Sequence, residues 1–306
     1  MRRHLRVLLC MSVVACVCAL SASAASAAAP ELGRCVKVAT GTGEYSNAGC
    51  TTSATGSEAR YKWLEGPGSK AKFVSRARDV LTLEASRCKL WKEELEKGNT
   101  KRAAELLEKW KYTPEQCEKA NEEAKTKTPV ILEPVEGPGV ECLGETASGE
   151  YTGPKTVGDV KVTFTGCYDT ALHLPCQNEG AASGEVSSTT LQGVLGVIKA
   201  ETNPVNNAIG IRLEAAPGND VSDFECEAGF FGPTHVKVTG SVIHEVRTNH
   251  MLLIENEKFI QRKGFQKPEN FQGSSNEVLY SNGVQSGEGL LTELENEEKI
   301  EVNSVV

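Results

Sequence analysis

Eight cysteines scattered through an acidic chain, none of them in a C-x-x-C pair, constrain this sequence more than any other feature. Cys35, Cys50, Cys88, Cys117, Cys142, Cys167, Cys176 and Cys226 all follow a leader-like N-terminus. An even number of cysteines in an exported chain reads as a disulfide framework, and without a C-x-x-C pair the spacing gives no support to zinc or redox work. Eight cysteines allow on the order of a hundred pairings, so connectivity has to come from local geometry.

The leader has three parts. Arg2, Arg3 and Arg6 precede a nearly unbroken apolar run over 7–20, and small residues fill 21–29. The run is shorter than the ~20 residues of a membrane helix, and small residues rather than a basic flank follow it, which is the plan of a secretory signal peptide over 1–29. Cleavage is expected between Ala24 and Ala29. A rival reading takes Val13, Val14, Ala15 and Cys16 as a lipoprotein processing site, with Cys16 lipidated and the chain anchored to the envelope. Removing 1–29 takes away Cys10, Cys16, Cys18 and three of the 33 basic residues; 30 bases then face 41 acids, a net of -11. Such a chain is a poor partner for nucleic acid, whose phosphates require clustered Lys and Arg, and for an anionic membrane surface. No membrane span remains after signal removal; the expected partner is an unknown extracellular or envelope component.

The remainder, 30–306, reads as one β-rich domain. Short alternating or β-branched runs at 34–39, 160–165, 191–199, 209–214, 236–246 and 300–306 are separated by turn clusters such as Gly66-Pro67-Gly68, Ala216-Pro217-Gly218 and Asn282-Gly283. Many short strands without intervening helices predict a mainly β fold, an antiparallel sandwich or barrel. The exception is a small three-helix insertion over 85–127, entered through a strand-like stretch at 79–84. Its first helix places Cys88, Trp91 and Leu95 on one stripe and ends at Gly98. The second aligns Ala103, Leu106, Leu107 and Trp110 after Asn99 or Thr100 as cap. The third opens on Thr113, Pro114, Glu115 and Gln116, a capping box, and aligns Cys117, Ala120 and Ala124. In an up-down-up stack the first and third helices run parallel with Cys88 and Cys117 at one level, which predicts a Cys88–Cys117 disulfide. The connection at 128–139, with Pro129, Pro134 and Pro138, returns to β structure.

The insertion is nearly neutral, so the acidic excess belongs to the β part. Glu288, Glu293, Glu295, Glu297, Glu298 and Glu301 are expected to line a solvated strand edge. Ala147 to Tyr151 echoes Ala182 to Val186, and Val160 to Thr163 echoes Val236 to Thr239, which suggests repeated strand-turn units.

The same segments carry a resemblance. Leu32-Gly33-Arg34-Cys35-Val36-Lys37-Val38, then Gly149-Glu150-Tyr151-Thr152-Gly153 leading to Val162-Thr163-Phe164-Thr165-Gly166-Cys167, then Gly240-Ser241-Val242-Ile243 and Asn296-Glu297-Glu298 resemble an uncharacterised family of secreted actinobacterial proteins. The resemblance implies a β-rich exported protein and no particular activity. The helices at 85–127 depart from it.

No catalytic or metal set assembles in the sequence. His235, His244 and His250 match no helical ligand pair, and alternation puts His235 and His244 on opposite strand faces, so these read as surface or turn histidines. Ser69 and Lys72 fit S-x-x-K without the partner motifs. Asp220, Asp223 and Glu225 lack EF-hand spacing and read as a solvated turn. Neither a nucleotide-cradling glycine loop nor a cofactor motif is present. Trp63 and some tyrosines are the aromatics left for a sugar platform. The expected function is therefore a non-enzymatic secreted or envelope protein with a binding or structural role, its binding displayed first on the helical insertion. The alternative is a secreted carboxylate hydrolase, for example on glycans, whose acids converge only in the fold.

Overall fold

A computed structural model describes residues 30–228 and 232–305; the leader, with its cleavage region and Cys16, lies outside the described residues. In chain order the strands are β1 (Glu31–Lys37), β2 (Tyr61–Glu65), β3 (Lys72–Ala77), β4 (Val130–Pro134), β5 (Val140–Cys142), β6 (Gly144–Tyr151), β7 (Thr156–Thr165), β8 (Tyr168–Asp169), β9 (Cys176–Gln177), β10 (Val186–Ser187), β11 (Leu191–Lys199), β12 (Ala208–Ala215), β13 (Ser222–Cys226), β14 (Thr234–Val246), β15 (Leu252–Arg262), β16 (Phe265–Lys267), β17 (Leu279–Ser281) and β18 (Val284–Asn303). The helices are α1 (Leu83–Glu96), α2 (Thr100–Trp110) and α3 (Pro114–Ala124). The fold is mainly β and antiparallel, with the three helices inserted between β3 and β4.

Eight strands follow one another by antiparallel ladders in the order β15, β18, β3, β6, β7, β11, β12, β14. The two ends of that series, β14 and β15, are consecutive in the chain and lie side by side. Among the described residues no backbone ladder joins them, so the barrel has one seam. A second round of pairings runs β9, β13, β14, β17, β18, β4, β5, β8. It closes through the Tyr168–Pro175 bridge and the hydrogen bond from Cys176 N to Cys167 O. β14 and β18 are long enough to serve both rounds, so the two cores are stacked along them.

Alternation explains what each core holds. β14 turns Val238, Val242 and Val246 inward, β18 turns Leu290 and Leu294 inward, and β11 and β12 add Leu191, Leu195, Ile209 and Ile211. The acidic tail therefore does not form an edge. β18 is flanked by β15 and β3 over one part and by β17 and β4 over another. Glu293, Glu295 and Glu297 do point to solvent, whereas Glu288 fronts the interior because it is in phase with the buried Leu290, Thr292 and Leu294. Glu301 shares the outward phase of Glu293 and Glu295 but is buried, as is Asn303 two places on, which donates to Gly49 O and Cys50 O.

The helices form where their caps place them. Thr82 accepts a hydrogen bond from Ala85 N, so α1 starts at Leu83; the strand expected over 79–84 reduces to a single bridge between Val80 and Thr128. The Thr113–Gln116 capping box is formed on both sides. The insertion packs Cys88, Trp91, Ala103, Cys117 and Ala120 together, while Leu95, at the frayed end of its stripe, is 39% exposed. Within 128–139, Val130–Pro134 is itself a strand, with Val130 buried in the second core.

The eight cysteines form four disulfides: Cys35–Cys50, Cys88–Cys117, Cys142–Cys167 and Cys176–Cys226. Cys88–Cys117 staples α1 to α3. Cys142–Cys167 and Cys176–Cys226 lie in the second core, and Cys35–Cys50 packs on Trp63. Of the internal echoes, 160–163 and 236–239 both fall in strands, but 182–186 is mostly turn whereas 147–151 is strand, so no repeated unit results.

Candidate functional site

The two cores share an interior cavity of about 150 Å³. Its wall is mostly aliphatic and aromatic, including Phe73, Val186, Val242, Phe259 and Leu290. That is the size of engineered apolar cavities that stay dry and take up benzene-sized molecules.

The polar part of the wall is a row across four neighbouring strands. Glu257 on β15 is opposite Thr292 on β18, Thr292 is opposite Ala77 on β3, and the register that pairs Arg76 with Thr146 brings Glu145 of β6 next in line. Thr292 Oγ1 donates to Glu257 Oε2 at 3.3 Å, and Ser75 Oγ donates to Glu145 Oε1 at 3.2 Å. Glu288, on the same face of β18 as Thr292, also lines the cavity.

The row ends at the seam. His244 of β14 brings Nε2 to 3.1 Å from Glu257 Oε1, off the line of a well-aligned hydrogen bond, and its ring packs edge-on against Phe259 of β15. The backbone N–H of Arg247 donates to Glu255 Oε1 at 2.6 Å, so side chains do here what a ladder does elsewhere. The exposed Arg247 and His250 line the same cavity as the buried row, which puts its outer end at this seam.

Burial sets the electrostatics. Loss of water pushes the Glu145 carboxyl up to about 8, helped by the negative field of Glu288. Burial likewise pushes Glu288 up to about 7 and raises Glu255. For His244 burial works against the charged form, but the attraction of the nearby Glu257 carboxylate outweighs it and the pKa is raised. His244 and Glu257 thus compensate each other, and Glu255 has the Arg247 N–H. Glu145 is left without a counter-charge and Glu288 has only the field of His244, while Glu145 Oε2 and both ring nitrogens of His244 have no well-formed hydrogen bond among the described residues.

The other residues singled out in the sequence sit elsewhere. His235 pairs with Asp223 at 2.9 Å and Lys237 with Asp220 at 2.9 Å on the surface. Asp220 alone lies in a turn, whereas Asp223 and Glu225 are outward residues of β13, because alternation buries Ser222, Phe224 and Cys226 between them. His173 stacks on Tyr168 and Trp110, and Arg87 lies over Trp110; Trp110 thereby serves to seat the insertion on β8. Trp63 is buried and offers no sugar platform. The reading of the histidines as surface or turn residues fails for His244, which is only 5% exposed. The signal for it was present: His244 is in phase with Val236, Val238, Val242 and Val246. No group of three His, Cys, Asp or Glu among the described residues converges as metal ligands do.

Compared with known proteins, the chain matches no family model, no curated protein and no solved structure.

Proposed function

We propose that this is an exported, non-enzymatic binding protein that houses a small apolar molecule inside its barrel, admitted at the β14–β15 seam. The observation that carries the reading is the apolar cavity of about 150 Å³ whose lining runs out to the one seam without a backbone ladder. Four disulfides and the leader at 1–29 support export, as does the resemblance to secreted actinobacterial proteins. No described helix is long and apolar enough to cross a membrane. The occupant is an unknown extracellular or envelope molecule.

The hydrolase alternative has one observation in its favour, the gathering of Glu145, Glu257 and Glu288 around one cavity. An acid and a nucleophile need pKa values driven apart, whereas Glu145 and Glu288 are both driven up, and Glu257 is already engaged by His244 at 3.1 Å. Apolar walls would also leave the hydroxyls of a sugar unpaired.

The test is thermal unfolding of the oxidised protein with toluene or benzyl alcohol. A ligand that binds only the folded state raises Tm in a saturable way. The reading requires such a rise with at least one of the two probes; no rise with either contradicts it.

A further inference from the structure

Resting on that reading, we propose that the ligand of this cavity carries a protonated amine, seated between Glu145 and Glu288, with its hydrocarbon part among Val186, Val242, Phe259 and Leu290.

Charge balance is the first argument. Of the four carboxyls on the cavity wall, Glu257 is offset by His244 and Glu255 is bonded by the Arg247 N–H. Arg247 itself is exposed at the rim. No ion pair among the described residues reaches Glu145 or Glu288, the latter feeling only the field of His244, which Glu257 already engages, and burying such groups unpaired is costly unless they take up a proton. Glu145 is 5% exposed, faces the cavity, and keeps Oε2 free of any hydrogen bond among the described residues while Ser75 occupies Oε1. A free acceptor in an apolar cavity calls for a donor on the occupant.

The chemistry narrows the donor. An anionic head would meet two carboxyls that no ion pair offsets among the described residues. A divalent metal ion needs convergent ligands, and no such trio exists among the described residues. A primary ammonium supplies three N–H donors and one positive charge, which suits two acids and a small space. A volume near 150 Å³ limits the hydrocarbon part to about the size of a benzene ring.

Isothermal titration of the oxidised protein with benzylamine, benzyl alcohol and benzoate decides this. The expected result is benzylamine at least about tenfold tighter than benzyl alcohol at pH 7, with no measurable benzoate binding. The amine-to-alcohol ratio should fall towards one in Glu145→Gln and in Glu288→Gln, each an isosteric change checked by circular dichroism; the wild-type ratio alone decides if a variant does not fold. Benzyl alcohol binding as tightly as benzylamine, or benzoate binding at all, overturns the amine proposal and leaves the apolar cavity standing. A ratio unchanged in both folded variants overturns the placement at Glu145 and Glu288. If none of the three binds, the amine proposal falls, and failure of toluene as well removes the cavity reading with it.

Discussion

His244 and Glu257 meet at 3.1 Å across the β14–β15 side of the barrel, which no backbone ladder closes among the described residues, both more than nine-tenths buried. The pair therefore does two things: it neutralises a charge inside an apolar wall and it holds two strands together by side chains.

Breaking this pair should cost far more than deleting it whole. His244→Leu or Glu257→Leu alone leaves its partner charged and uncompensated, at about 3–5 kcal/mol, while replacing both with leucine should cost markedly less. Urea unfolding of the two single variants and the double variant measures this. Additive losses would show that the two residues do not act as a pair.

The buried acids set the pH dependence of stability. Glu145 rises to about 8, and Glu288 and Glu301 to about 7, all by burial. A folded pKa above the unfolded value of ~4.3 means that the folded state holds the proton more tightly. The stability these groups confer is complete below that unfolded value and is lost as pH rises through 7 and 8. His244, also raised, acts in the same direction above its unfolded value of ~6.5. The half-buried Glu94 and the exposed Glu122 are lowered, by hydrogen bonds from Asn99 and Lys97 and from Lys125 respectively, and act oppositely, but only in acid. Tm should therefore fall between pH 5 and pH 8, and Glu145→Gln should raise Tm at pH 8 and flatten the slope. A Tm that climbs over that interval contradicts this assignment.

The helical insertion should come away without unfolding the barrel. Its neck is narrow: Val80 bridges Thr128, and Thr128 N donates to Asp79 O at 2.8 Å. Excising 85–127 should remove the helical circular-dichroism bands and leave the β signature, whereas global unfolding would make the helices part of the core. The contacts it gives up include the Trp110–His173–Tyr168 ring cluster and the buried Glu141 beside Ser86.

Within the insertion, Cys88–Cys117 closes a 29-residue separation, which by chain-entropy arguments stabilises by about 3–4 kcal/mol. In Cys88→Ala/Cys117→Ala, trypsin should cut first between α1 and α3, at Lys97, Lys101 or Arg102, while barrel peptides stay protected. Cleavage appearing first in the barrel would refute that local role.

Much of the fold was legible because local rules and tertiary structure agree. The Thr113–Gln116 capping box, the periodic Ala103 and Leu106, and the run at 191–199 appear where alternation and capping put them. The site was hidden because a charged residue in a strand ordinarily faces solvent. Glu257 lies in a strand whose neighbour two places on is the buried Phe259, and Thr292 lies between Leu290 and Leu294, so phase rather than polarity decides which way they face. Glu145 carries no such marker: Ala147 and Gly149 follow it, too small to show an apolar face. Nor does any local pattern reveal that β14 and β15 close the barrel without a ladder.

The most direct test of the central claim is methyl NMR of the oxidised protein titrated with benzyl alcohol. Saturable shifts should centre on Val186, Val242 and Leu290, inside the barrel. Shifts confined to outward methyls such as those of Val74 and Leu253, or no saturable shifts, would contradict it.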